Sequence, residues 1–170
     1  VEIDCLDCSS RRELINLGIK TLIDLRASSE IGRQSPLQKG FNVVHIPLAT
    51  GDMEGILKGI REEKIKSDTV YRKEERMNRI LIDQYTKEYR QIFDILLDKN
   101  SYPVVIHCSS GKGRTGIVSA LVLAALGINE DIIMEDYRLS NDYCNIPRAS
   151  KYAYQLPARS QVAITTLISA

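Results

Sequence analysis

Residues 104–116, Val-Val-Ile-His-Cys-Ser-Ser-Gly-Lys-Gly-Arg-Thr-Gly, concentrate a nucleophile, a cation and backbone donors within one short stretch. The apolar Val104-Val105-Ile106 reads as a buried strand, and Arg114-Thr115-Gly116 opens an apolar helical run. A loop between a strand end and a helix start points backbone N–H groups inward, and the helix N-terminus adds positive potential, so it makes an anion seat. Cys108 stands at the strand end, where that field favours thiolate over thiol. Arg114 lies six residues on, and its fork can hold two phosphate oxygens, which Lys cannot. A thiolate below and a guanidinium above a phosphoryl group suit in-line attack of sulfur on phosphorus, giving a phosphocysteine intermediate. The N–H groups of Ser109, Ser110, Gly111, Lys112, Gly113 and Arg114 would hold the equatorial oxygens. Thr115 or Ser109 could donate a hydroxyl hydrogen bond to the sulfur. Gly111 and Gly113 are both expected to allow positive φ or close backbone approach. His107 reads as an organiser of the loop backbone. A nucleotide P-loop is excluded, because it requires Ser or Thr after its Lys and a Gly five positions before its second Gly. Here Gly113 follows Lys112, and Ile106 takes the earlier position.

The elements around this segment predict an α/β fold, with helices flanking a largely parallel sheet. Ser10-Arg11-Arg12-Glu13 reads as a capping box opening a short helix, and Gly18 as its stop. Thr21 to Leu25 and Phe41 to Pro47 read as strands, and Val104 to Ile106 as the central one. Residues 49–76 are charged and carry Gly51, Gly55 and Gly59, which fits a polar helix pair or a lid. Lys58, Lys64, Lys66 and Lys73 would face substrate or water there. From Arg76 the apolar positions Met77, Ile80, Leu81, Tyr85, Tyr89, Ile92, Phe93, Leu96 and Leu97 predict one amphipathic helix of about six turns. Gly116 to Leu126 reads as a buried helix ended by Gly127, and Asn129 caps another running to about Leu139.

Composition narrows the function. The 170 residues are 44% hydrophobic and 26% charged, which is globular usage and room for a single domain, here spanning 1–170 with 49–76 as its lid. A net charge of +1 gives no support to nucleic-acid binding, so any anion site must be local. No apolar run is long enough to span a bilayer. Cys5, Cys8, Cys108 and Cys144 are too irregular for a disulfide scaffold. The lone Cys5-x-x-Cys8 lacks a second pair for zinc, so neither a metal nor a cofactor is expected. Cys144 reads as a buried thiol, with a resolving role toward oxidised Cys108 as the alternative. The chain opens on Val1 and closes in an apolar stretch, Val162 to Ala170, so it reads as a piece of a longer cytoplasmic or secreted product.

Expelling an alkoxide or phenolate requires a proton donor. Asp24 lies within a strand and Asp83 on the long helix. Asp52 follows a strand end between Gly51 and Gly55 and is the first candidate; Asp68, farther into the lid, is the second.

His107-Cys108 through Arg114-Thr115-Gly116 resembles the Cys-x5-Arg signature of the cysteine-dependent protein tyrosine phosphatase superfamily. Asp24-Leu25-Arg26 with Glu30, Val43 to Leu48, and Asp136 to Asn141 extend the resemblance to the bacterial tyrosine phosphatase family with atypical dual-specificity members. The resemblance implies a phosphatase-like α/β fold and hydrolysis of phosphotyrosine or dual-specificity substrates. It implies a phosphorylated protein or phosphoinositide as partner. That family usually carries Asp between the loop Lys and Arg, where this chain has Gly113. Gly111 to Gly116 instead resembles the loop of the superfamily's phosphoinositide 3-phosphatase branch, although Ser109 replaces a second Lys there. Arg26 and Glu30 are expected to form a structural ion pair fixing the loop after the first strand, with a place in the site as the alternative, and His45 is expected to be a hydrogen-bonded core histidine. A phosphoinositide or inositol phosphate phosphatase, a non-catalytic phosphate-binding module, and a sulfur-transfer or arsenate-reducing enzyme are the competing functions.

Overall fold

The computed structural model describes residues 8–31, 40–49, 51 and 53–143. The chain divides into two units, one formed by 1–49 with 84–140 and the other by 50–83 with 141–170. Asp52 and Cys144, two of the residues singled out above, lie outside the described residues.

In the first unit, α1 (Cys8–Asn16) closes as a Schellman turn. Gly18, at φ +70°, donates to Ile15 O at 2.9 Å, and Ile19 N donates to Leu14 O at 3.2 Å. The helix begins at Cys8, so Ser10 sits inside it and the expected Ser10–Glu13 capping box does not stand at its start. The chain then enters β1 (Thr21–Asp24), which pairs in parallel with both β2 (Asn42–His45) and β3 (Val104–His107). The expected α/β architecture with a parallel sheet is the one formed, but the strand order β2-β1-β3 puts β1 at the centre instead of the Val104 strand. Hydrogen-bonded on both edges, β1 is buried at all four positions, whereas Val104 to Ile106 are only half-buried. Leu22 and Phe41 anchor a core with Leu14, Ile19, Val43 and Val105.

Parallel register aligns the carboxyl ends of the strands. Asp24 lies between His45 and His107, and the three segments leaving the sheet remain tied together. Leu25 N donates to His107 O at 2.9 Å, Ile46 N to Asp24 O at 2.9 Å, and Leu48 N to Leu25 O at 3.1 Å. Cys108, Leu25-Arg26 and Leu48 thus leave one edge of the sheet side by side, where ligands of open α/β sheets are held.

The single long helix expected from Arg76 to Leu97 is two helices, α3 (Ser67–Gln84) and α4 (Thr86–Leu97). Tyr85 breaks the run at φ −109°, ψ 29°. Its hydroxyl accepts from Ala49 N at 3.1 Å and donates to Ala49 O at 3.0 Å, fastening the break to the loop after β2. The apolar spacing continues through the junction, so periodicity does not reveal it. Tyr89 and Ile92 are buried on α4. Beyond β3, α5 (Gly113–Ala125) starts three residues before the expected Gly116. Only Arg114 and Val118 of it are buried, so the helix expected to be buried all round is half-covered. Gly127, at φ +76°, ends it, with Ile128 N donating to Leu123 O at 3.0 Å. Asn129 caps α6 (Glu130–Tyr143), its side-chain oxygen accepting from Asp131 N at 2.7 Å.

In the second unit, 53–83 form a helix pair, α2 (Met53–Arg61) followed by the body of α3. Ile56, Ile60 and Val70 are its buried core, with Ile65 and Met77 against them. Gly59 of α2 packs closely on the residue past the bend, since a Cβ there would stand 2.5 Å from Ile65 Cδ1. Among the described residues, no helix is long and apolar enough to cross a membrane.

Candidate active site

The loop from β3 to α5 carries Cys108 at its base, 2% exposed. Burial alone pushes its thiol up. The Thr115 hydroxyl, the N–H groups of Thr115 and Gly111, and the Arg114 charge outweigh that burial and leave the thiol below its ordinary value. Thr115 Oγ1 donates to Sγ at 3.2 Å. Of the two hydroxyls considered for that role, Thr115 takes it, because Ser109 Oγ is turned away to donate to Glu30 Oε1 at 2.6 Å. Gly111 sits at φ +71°, a turn that brings its N–H toward the sulfur. Gly113 is not at positive φ; it is the first residue of α5. Only Gly111 therefore needs the conformational freedom expected of both. Lys112 is half-buried at the start of α5, and Ser110 is exposed. Gly116 has a packing reason, since a Cβ there would meet Tyr137 Cε2 of α6 at 2.5 Å.

Arg114 projects from the first turn of α5 and is 8% exposed. Its Nη1 donates to Glu30 Oε2 at 2.6 Å and its Nη2 to Glu30 Oε1 at 2.7 Å. Glu30 comes from the short turn Ser28–Glu30 after β1, and its Oε2 also accepts from Ala27 N at 2.7 Å. Burial pulls its carboxyl up, but the bonds from Arg114, Ser109 and Ala27 hold it down at about 2. Glu30 is thus a constant anion against a constant cation.

Arg26 and Glu30, expected as partners, do not pair with each other. Arg26 turns back onto Asp24, with Nη2 2.6 Å from Oδ2, Nε 2.9 Å from Oδ1, and its own N–H 3.0 Å from Oδ1. Both are buried. Burial raises the Asp24 carboxyl, yet the Arg26 side-chain and backbone bonds and the nearby His107 leave it below its ordinary value. His107, buried beside Cys108, places Nδ1 4.0 Å from Asp24 Oδ1. Its ring therefore lies against the strand-end carboxylate of Asp24. His45 is hydrogen-bonded as expected, through Nε2 to Arg26 O at 2.7 Å, but it is exposed and not in the core.

The loop can hold a tetrahedral oxyanion over an ionisable sulfur, with α5 and a guanidinium supplying positive potential. The structure brings Cys108, Ser109, Gly111, Arg114 and Thr115 together. Asp68 is exposed in the first turn of α3 in the other unit. Sequence reasoning missed Glu30 as the partner of Arg114 and Asp24 as the partner of Arg26. The spacing of Asp24, Arg26 and Glu30 on a strand-end loop was the available signal, but spacing alone does not choose the pairing. Among the described residues no cluster of His, Cys, Asp and Glu could hold a metal ion.

Comparison with known proteins follows the same lines. Residues 2–170 match the sequence model of the tyrosine phosphatase family. The triple specificity protein phosphatase PtpB of Mycobacterium tuberculosis is 32% identical over 163 residues, covering 83% of this chain and 59% of that protein. A Cupriavidus necator protein bearing a tyrosine-protein phosphatase name is 28% identical over 131 residues, 75% of this chain and 46% of its own length. The chain thus spans about half the length of these relatives.

Proposed function

The chain belongs to the tyrosine phosphatase family, and from that premise we propose that it hydrolyses phosphomonoesters of proteins, phosphotyrosine foremost, through a phosphocysteine intermediate. One observation carries the reading: a buried thiol held toward thiolate by the Thr115 hydroxyl, with Arg114 at the head of α5 beside it. Sulfur attacks phosphorus as the ester oxygen leaves, and the loop N–H groups and Arg114 carry the equatorial charge. Water then attacks the phosphocysteine, and the Thr115 hydroxyl stabilises the departing thiolate. Dual specificity is part of the proposal, since the Mycobacterium tuberculosis relative is named a triple specificity protein phosphatase. Inositol phospholipids are the alternative substrate class, with Lys112 as the residue that would meet a second phosphate.

The proton donor is proposed to be Asp52, with Asp68 as second choice. Two carboxylates beside the loop, Glu30 and Asp24, are unsuited. Glu30 stays ionised down to about 2, and Asp24 is buried against Arg26, so neither has a proton to give at neutral pH.

The test is hydrolysis of p-nitrophenyl phosphate and of a phosphotyrosine peptide by the purified chain, with Cys108→Ser alongside. Serine is scarcely ionised at neutral pH, so the variant is expected to lose turnover while still binding vanadate. Wild-type turnover in Cys108→Ser would remove the phosphocysteine step. Vanadate binding by a wild-type chain that hydrolyses neither substrate would favour the non-catalytic module.

A further inference from the structure

Two backbone carbonyls face Arg114 Nη1, Leu25 O at 3.3 Å and Leu48 O at 3.4 Å. They differ in what holds them. Leu25 continues the central strand, with its N–H on His107 O at 2.9 Å and its carbonyl also accepting from Leu48 N at 3.1 Å. Leu48 lies past the end of β2, and its carbonyl belongs to the peptide it shares with Ala49. Ala49 is the last residue of the first unit before the chain departs into 50–83. The Leu48–Ala49 peptide is trans, so its C=O and N–H lie in one plane and point to opposite sides. Whatever fixes the Ala49 N–H therefore also aims the Leu48 C=O.

The group that fixes it is the Tyr85 hydroxyl, which accepts from Ala49 N at 3.1 Å and donates to Ala49 O at 3.0 Å. We infer that Tyr85 is a positioning residue for this site: by holding the Ala49 N–H on one side of the peptide, it turns the Leu48 carbonyl toward Arg114 on the other. The inference rests on the proposed oxyanion chemistry of the loop and adds a residue to it from outside the loop. Tyr85 is well placed for the task. Its own carbonyl accepts from Tyr89 N at 2.9 Å, and the buried Tyr89 and Ile92 fix the helix α4 that follows it. A phenol hydroxyl both donates and accepts, so one atom grips both main-chain groups of Ala49. The ring reaches them through only two rotatable side-chain bonds, so little rotamer freedom is lost in holding the grip. A water molecule in place of the hydroxyl would satisfy the same two groups, but it would be tied to no helix. Loss of the hydroxyl therefore costs orientation at Leu48 more than it costs folding. The contact also spans the insertion, since Ala49 precedes 50–83 and Tyr85 follows it, so the carbonyl beside Arg114 is set at the point where the chain leaves and returns.

The test compares wild type with Tyr85→Phe, which keeps the ring and removes only the hydroxyl. Tungstate affinity is read by calorimetry, p-nitrophenyl phosphate hydrolysis by kcat/KM, and the Ala49 amide by hydrogen exchange. Tyr85→Phe is expected to weaken tungstate by about fivefold, the scale of one net hydrogen bond, and to lower kcat/KM by a similar factor. Ala49 is exposed, yet its amide is expected to exchange slowly in wild type and faster in Tyr85→Phe. A purely structural role would lower the melting temperature and leave the affinity of the folded protein unchanged. Wild-type tungstate affinity in Tyr85→Phe overturns the inference and leaves the proposed hydrolysis standing. An unprotected Ala49 amide in wild type overturns it without any substitution. A loss of affinity with Ala49 exchange unaltered overturns it too, because the effect would then not pass through that peptide. Tungstate affinity and Ala49 protection that both depend on Tyr85, in a chain that hydrolyses nothing, support the positioning role and remove the hydrolase. Absence of tungstate binding by wild type overturns both.

Discussion

Thr115→Val is the sharpest perturbation of the nucleophile, because it deletes one hydroxyl and leaves the side-chain shape. That hydroxyl donates to Cys108 Sγ at 3.2 Å and is the largest of the influences that lower the thiol, with burial working against them. A hydrogen bond to a charged group contributes about 1.5–3 kcal/mol. One pKa unit corresponds to about 1.4 kcal/mol. The Cys108 midpoint in Thr115→Val is therefore expected to rise, and an interaction of that size makes the rise measurable. It does not return to the value of a buried, unassisted thiol, since the N–H groups of Thr115 and Gly111 and the Arg114 charge remain. The sign is fixed by the chemistry: the bond favours the anion, so losing it favours the thiol. The assay is the rate of iodoacetamide alkylation of Cys108 as a function of pH, with Thr115→Ser as the control that restores the donor. The acid limb of kcat/KM should move with the same midpoint. Hydrolysis of the phosphocysteine should slow as well, since the thiolate leaves without its donor, and a burst of released phenolate in the first turnover would show it. A Thr115→Val midpoint equal to wild type would refute the claim that this bond tunes the sulfur.

Three further outcomes follow from particular contacts. Gly116→Ala sets a Cβ 2.5 Å from Tyr137 Cε2 and is expected to lower stability by about 1–3 kcal/mol; thermal denaturation of Gly116→Ala with and without Tyr137→Ala checks it, because the second change should recover part of the loss. Asp24→Asn removes the carboxylate charge that the buried Arg26 meets at 2.6 Å and is expected to cost about 3–5 kcal/mol in urea unfolding at neutral pH. Because the folded carboxyl of Asp24 lies below its ordinary 3.8, this stabilisation is present above that value and is lost as pH falls through the lower folded one, so wild type and variant should converge in strong acid. Asp52→Asn is expected to lower kcat on a phosphotyrosine peptide by about 10²–10⁴-fold and to do less on substrates with very good leaving groups; unchanged peptide turnover would transfer the role to Asp68.

The division between what sequence determined and what folding decided falls along the range of each interaction. The strand-loop-helix segment was legible because its parts are neighbours in the chain. Val104 to Ile106 select an extended backbone, Gly111 supplies the positive φ, and Cys108 and Arg114 are joined by one short loop. Helix ends written in Gly18, Gly127 and Asn129 were legible for the same reason, since caps act over a few residues. Strand order was not, because the apolarity of Val104 to Ile106 and of Thr21 to Ile23 is alike, and only pairing on both edges makes β1 the centre. The break at Tyr85 was hidden because the apolar period runs through it; a hydroxyl reaching back to Ala49, 36 residues earlier, fastens it. The exchange of charge partners is the clearest case. Asp24, Arg26 and Glu30 are close in sequence, and their charges alone permit more than one pairing. The parallel sheet brings Arg114 beside the β1 loop across 84 residues, and that proximity gives Glu30 to Arg114 and leaves Asp24 to Arg26. Electrostatic pairing depends on distance in space, which side-chain type and spacing do not carry and tertiary packing supplies.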